Sequence, residues 1–293
     1  MAEPRVIEIE APTVRLTALA WGPEQGPIAL CLHGFPDTPH GFRTLAPYLV
    51  AAGYRVVAPF MRGYAPSGLP TDRSYHIGAI MDDALRVHAA SNPTADDVLI
   101  GHDWGALAAN GLAAMPDSPF HKAVIMSVPP APTLRRAYLT WLPLLPGQLR
   151  LSWYMGYFQL PVLAERARSW IVPRLWRRWS PNYEASEDIR HVMAAIGSPD
   201  NWRAALGTYR TNLKFLRPPA QYAELHRWWT EPPRLPTLYL HGVDDGCMTA
   251  ALAPLVRPVL PPGSDVGVVE RAGHFLQLDR PDEIGRRIVE FLR

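Results

Sequence analysis

Val98-Leu-Ile-Gly-His-Asp-Trp-Gly-Ala-Leu-Ala-Ala109 is the stretch whose reading decides the fold. Val98 to Ile100 have the texture of a buried strand, and the small residues after Trp104 have that of a close-packed helix. Between them, Gly101-His102-Asp103-Trp104-Gly105 has the form of a sharp bend that lifts its central side chain off the end of the strand. The flanking glycines fit a turn too tight for side chains, and the central residue is expected in a strained conformation. That residue is Asp103, a carboxylate ionised near neutral pH, which can attack without first losing a proton to a base. Such a group suits displacement at saturated carbon. A chance turn with a helix-capping Asp would satisfy the glycine spacing equally well, so the case rests on what surrounds it.

Upstream, Ile28 to Leu32 reads as a strand running into His33-Gly34-Phe35-Pro36. A loop at this place can aim a backbone N–H at developing negative charge, and the amides of Phe35 and Trp104 are the expected oxyanion donors. His33 reads better as a histidine that holds the loop than as a proton carrier. His33 and Pro36 are nonetheless placed at the wall of the substrate pocket, and Pro36 is open to a cis bond. Downstream, Thr237 to Leu240 delivers Asp244-Asp245, and Val266 to Val269 delivers Glu270-Arg-Ala-Gly-His274. A lone His after Ala-Gly is more often structural. Three residue types at three strand ends, in the order nucleophile, acid, histidine, favour a joint role for Asp103, one of the two aspartates and His274.

Further strands read at Val14 to Trp21, Arg55 to Ala58 and Ala123 to Ser127, with amphipathic helices at Phe42 to Ala52 and Ile77 to Ala89. The alternation predicts an α/β protein on a mostly parallel, doubly wound sheet. After Pro129, Pro130 and Pro132 the chain becomes rich in Trp, Tyr, Arg and Leu with no clear strand. Residues 1–129 and 234–293 are therefore expected to form two parts of one α/β core, with residues 130–233 as a helical lid over the strand ends. Pro281 to Leu292 closes the chain as a helix with Ile284, Ile288 and Leu292 on one face.

Lys plus Arg number 29 against 27 for Asp plus Glu, so no strong field of one sign recruits nucleic acid or an anionic membrane. The Arg166 to Trp179 stretch, which interleaves arginines with Trp170, Trp176 and Trp179, reads as an amphipathic lid helix and not as a nucleic-acid surface. Cys31 and Cys247 form no paired spacing, which points to a reducing, cytoplasmic setting and to no metal site. The N-terminus, from Met1, lacks the basic-then-apolar order of a signal peptide. Pro143, Pro146, Pro161 and Arg150 interrupt the apolar run from Trp141 to Leu163, which falls short of the ~20 residues of a membrane span and reads as pocket lining.

On Gly101-His-Asp-Trp-Gly105, His33-Gly34-Phe35-Pro36 and the positions of Asp245 and His274, the chain resembles the epoxide hydrolases of the α/β-hydrolase superfamily from about residue 20 onward. The resemblance implies the α/β-hydrolase fold, no cofactor, and a small apolar epoxide and water as reactants. It selects Asp245, the third residue after Gly242, as the acid that orients His274. It implies two ring-opening tyrosines: Tyr154, within Ser152-Trp-Tyr-Met-Gly-Tyr-Phe-Gln159, and Tyr209, which lies further from Trp202 than the family pattern has it. Tyr157 and Tyr183 are the fallback positions, and Trp153 and Tyr157 are expected at the pocket wall. The implied reaction is attack by Asp103 on an epoxide carbon, then hydrolysis of the ester by water activated at His274. A haloalkane or haloacid dehalogenase with the same Asp is the nearest rival, and a non-catalytic ligand-binding receptor on the same fold is a second. Self-association as a homodimer stays open.

Overall fold

The computed structural model describes residues 3–293, so Met1 and Ala2 of the N-terminal stretch read above lie outside the described residues. Eight strands form one sheet: β1 (Arg5–Glu10), β2 (Arg15–Trp21), β3 (Ile28–Leu32), β4 (Arg55–Pro59), β5 (Val98–His102), β6 (Lys122–Met126), β7 (Thr237–Gly242) and β8 (Asp265–Val269). Their spatial order is β1-β2-β4-β3-β5-β6-β7-β8, with β1 and β2 antiparallel to their neighbours and the other pairings parallel. Central strands β3, β4, β5 and β7 are buried along their whole length. That burial explains why they read as continuous apolar runs and not as alternating ones.

The sequence reading found no strand over Arg5–Glu10, where β1 pairs with β2 in full register. β1 is an edge strand with four of its six side chains exposed, so its alternating charges look like a solvated tail. The helix expected over Phe42 to Ala52 is shorter, as a 3-10 turn at Pro39–Phe42 followed by a helix at Ala46–Ala51. The helices Ile77–Ala90 and Pro281–Leu292 lie where the periodicity placed them, and the latter buries Ile284, Ile288 and Leu292.

Between β6 and β7 the chain is helical and carries no strand, from Pro132–Arg136 through Arg168–Trp179 and Pro199–Asn212 to Ala220–His226. Arg168–Trp179 turns Ile171, Val172, Leu175, Trp176 and Trp179 inward. Trp176 stacks flat on Phe275, with ring centroids 3.6 Å apart, and its indole N–H donates to the carbonyl of Pro36 at 2.9 Å. One side chain thus ties the helical segment to the loop after β3 and to the loop after β8. No helix among the described residues is long and apolar enough to cross a membrane.

Close approach is tightest where the helix Trp104–Ala114 leaves β5. A Cβ on Gly105 would sit 2.0 Å from the carbonyl oxygen of Leu32 and 2.6 Å from that of His33. These are backbone atoms at the end of the central strand β3 and cannot step aside. Gly105→Ala is therefore expected to cost about 3 kcal/mol of stability, the upper part of the usual overpacking range. Urea unfolding followed by circular dichroism measures it, and a loss near zero would show that β3 can yield.

Candidate active site

β5 ends at His102, and the next residue carries the strain: Asp103 has φ 54° and ψ −119°. A positive φ is uncommon outside glycine and costs on the order of 1–3 kcal/mol, so surrounding contacts must hold it. The Phe35 amide donates to Asp103 Oδ1 at 2.7 Å. Gly34 permits this, because a Cβ there would fall 2.2 Å from Asp103 Oδ1 and 2.6 Å from the Trp104 nitrogen. The absence of a side chain at position 34 lets the carboxylate lie against the loop after β3, beside both amides. The Phe35–Pro36 bond is cis.

The loops after β7 and β8 bring Asp245 and His274 to the same place. His274 Nδ1 lies 3.0 Å from Asp245 Oδ2, while its Nε2 faces Asp103 Oδ2 at 3.5 Å and has no hydrogen-bond partner. Asp245 is buried and its Oδ1 accepts from the amides of Cys247 and Met248 at 2.7 and 3.0 Å. Asp244 is exposed and meets Asn182 instead. The backbone of His274 is fixed as well, its amide donating to Trp179 O at 2.8 Å and its carbonyl accepting from Ser127 Oγ at 2.5 Å and lying 2.9 Å from His102 Nε2. Burial alone would lower the His274 pKa, but the charge of Asp245, its hydrogen bond to Nδ1 and the facing carboxylate of Asp103 outweigh it and raise the pKa well above 6.5. Burial likewise works to raise Asp245, and the facing His274 overcomes it, holding Asp245 below its ordinary value.

Asp103 and Trp104 open onto a cavity of about 680 Å³ lined largely by apolar groups, among them Leu107, Val128, Trp141, Leu145 and Met155. Tyr154 and Tyr209 both line it and are both buried. Their rings meet edge to face at 5.8 Å, and Tyr209 packs the same way on Trp104 at 5.0 Å. The Tyr209 hydroxyl has no partner, and that of Tyr154 has only the Cys247 thiol at 3.4 Å. Burial raises both phenols well above their usual range, so both stay protonated.

Four residues expected at the pocket wall lie elsewhere. His33 is buried behind the loop, its Nδ1 2.8 Å from Gly34 O and its Nε2 accepting from the Met61 amide at 3.0 Å, and burial lowers its pKa to about 4. Pro36 O is taken by Trp176. Trp153 and Tyr157 point away on their short helix Trp153–Tyr157, Trp153 toward a surface depression with Arg150 and Arg174, Tyr157 toward Leu163 O. Neighbours in a helix face different sides, so placing Tyr154 in the cavity removes Trp153 from it. Tyr183 serves a third purpose, donating to Asp188 Oδ2 at 2.7 Å. Cys247 was missed. Its thiol lines the cavity, with ligand-type atoms of Asp103 and His274 within 4.8 Å. The available signal was its place two residues after Asp245 on a loop that must curl around that carboxylate.

This chain belongs to the α/β-hydrolase fold family, whose model matches residues 27–281. It is 30% identical to the AB hydrolase superfamily protein YfhM of Bacillus subtilis over 96% of this chain and 95% of that one. It is 27% identical to Epoxide hydrolase 3 of Xenopus tropicalis over 96% of this chain and 75% of that one. Among solved structures, an epoxide hydrolase from an endophytic Streptomyces superposes with a TM-score of 0.77 at 24% identity, covering 100% of this chain and 96% of that one. That likeness speaks to the fold alone.

Because its folded-state pKa is raised, His274 contributes stability that is fully present below about 6.5 and is lost as pH rises through the raised value. Asp245→Asn is expected to bring the His274 titration, followed by NMR of its ring protons, down toward the ordinary imidazole range and to cost about 3 kcal/mol near pH 6. Asp244→Asn should leave both unchanged. Equal effects of the two changes would remove Asp245 from its assigned role.

Proposed function

We propose that this protein hydrolyses epoxides to vicinal diols through a covalent ester on Asp103, with residues 130–233 acting as a lid that closes the substrate cavity. The observation that carries the reading is the presence of two buried, protonated tyrosine hydroxyls lining the same cavity as the Asp103 carboxylate. A carboxylate supplies the attack, and a pair of donors supports the oxygen that leaves carbon. Resemblance to proteins named epoxide hydrolases agrees with it.

In the first step Asp103 Oδ2 bonds to an epoxide carbon, because Oδ1 is already held by the Phe35 amide. The carbon–oxygen bond breaks, its electron pair stays on the ring oxygen, and that oxygen takes a proton from the Tyr154 and Tyr209 pair. Ester formation removes the negative charge from Asp103, one of the groups that keep His274 protonated. The imidazolium then gives up its proton, which restores the tyrosine, and His274 becomes a base. It takes a proton from water, the resulting hydroxide attacks Asp103 Cγ, and negative charge develops on Oδ1 between the amides of Phe35 and Trp104. Collapse expels the diol with the proton returned from His274 and leaves Asp103 as a carboxylic acid, whose proton then passes to His274, restoring the carboxylate and the imidazolium for the next cycle.

A second reading, dehalogenation by the same carboxylate, has one observation in its favour: the buried Trp104 indole N–H has no partner and could donate to a departing halide. Chloride release from chloroalkanes, measured beside diol formation from styrene oxide, separates the two.

Asp103→Ala is expected to lower turnover by about 10⁴-fold or more, as for loss of a nucleophile, and Tyr154→Phe and Tyr209→Phe by about 10²-fold each. His274→Gln should accumulate protein carrying the mass of one substrate, visible by intact mass spectrometry. Single turnover in heavy-oxygen water should place the label in Asp103, and label in the first diol instead would mean direct attack by water.

A further inference from the structure

The near-neutral balance of the whole chain hides a local asymmetry. Residues 130–164 and 201–223 contain seven Lys and Arg and no Asp or Glu, in a chain whose net charge is +2. Both segments border the cavity: Leu134, Arg135 and Trp141 line it from one, and Leu213 and Phe215 from the other. Phe215 lines the cavity and is also 82% exposed, so it stands at the opening. The chain next to the lining residues is exposed and apolar on both segments: Tyr138 (55%) and Leu139 (82%) fall between Arg135 and Trp141, and Leu216 (51%) follows Phe215. Large exposed aliphatic and aromatic groups flanking one opening mark contact surfaces, whereas scattered single ones do not.

The cations are placed among them. Arg203 and Arg210 are neutralised by Asp200 and Glu165. Arg135, Arg136, Lys214 and Arg217 are exposed and have no such partner among the described residues, Arg136 reaching only the carbonyl of Pro258 at 3.2 Å. Exposed apolar side chains interspersed with unpaired cations beside the cavity opening match the chemistry of a lipid surface, where hydrocarbon lies beneath anionic headgroups. A second copy of the chain fits less well, since self-contact through this face would set the same cations against one another with no acid between them.

We infer that the mouth of the cavity is a docking face for an anionic lipid bilayer, with Leu139, Phe215 and Leu216 entering the headgroup boundary and Arg135, Arg136, Lys214 and Arg217 pairing with lipid phosphates. Docked so, the opening faces the bilayer, and an apolar substrate passes from lipid to cavity without crossing water. The inference concerns the surface and holds whichever bond the buried site cleaves.

Co-sedimentation of the full chain with sucrose-loaded vesicles tests it without substrate. Binding is expected to vesicles of phosphatidylcholine mixed with phosphatidylglycerol, to be weak on phosphatidylcholine alone, and to fall as salt shortens the screening length. Arg136→Glu with Lys214→Glu should reduce partitioning about tenfold or more, at roughly fivefold per basic residue, and Leu139→Asp with Leu216→Asp should reduce it comparably. None of these four side chains lines the cavity, so thermal melting and turnover of a water-soluble epoxide should match the parent. If the parent protein turns over no epoxide yet binds vesicles as described, the proposed reaction fails and the docking face stands. Equal binding to the two lipid mixtures, absence of binding, or variants that bind like the parent would overturn the inference. So would light scattering that shows a dimer made monomeric by the Leu139 and Leu216 changes, because the patch would then be a contact between copies.

Discussion

One contact governs the arrangement: the amide of Phe35 on the carboxylate of Asp103. It requires a missing side chain at Gly34, a second missing side chain at Gly105, and a positive φ at Asp103. Each of these is unfavourable or restrictive alone. Together they set a carboxylate at a bend in the backbone with one oxygen held and the other free to face the cavity. The strain at Asp103 is tolerated because β3 and β5 are adjacent, paired and buried, so neither the loop nor the elbow can relax independently.

The electrostatics follow from that geometry. A buried imidazole between two carboxylates is the charged form's best environment, so His274 is raised where burial by itself would lower it. In the proposed reaction the charge state of His274 is coupled to the bonding state of Asp103, since esterification takes away one of its two anions. The site needs no outside signal to convert His274 from acid to base. The tyrosines contribute through the opposite effect: burial without a partnering charge keeps them protonated and able to donate.

The helical segment contributes in two directions. Its inner face delivers Tyr154, Tyr209 and Trp179 to the strand ends, and Trp176 fixes it to the loops that carry the Phe35 amide and His274. Its outer surface, with the loop after Pro199–Asn212, leaves apolar groups and cations exposed next to residues that line the opening. A segment that had only to cover the core would not need that exposed apolar collar, and the proposed lipid contact gives it a purpose.

Local patterns in the sequence determined the parts that depend on near neighbours. The elbow around Asp103, the buried strands β3 to β8, the amphipathic closing helix and the strand-end positions of Asp245 and His274 were legible because each is written in a few adjacent residues: glycine spacing, apolar runs, helical period. The edge strand β1 was not, since alternating charges suit a solvated strand and a tail alike. Tertiary structure alone decided which side chains share the cavity. His33 turns behind its loop, Trp153 and Tyr157 lie on the wrong faces of one short turn of helix, and Cys247 enters because Asp245 folds the following residues around itself. Proximity across long stretches of chain depends on rotation about each element and on packing between distant ones, and neither leaves a trace in sequence spacing.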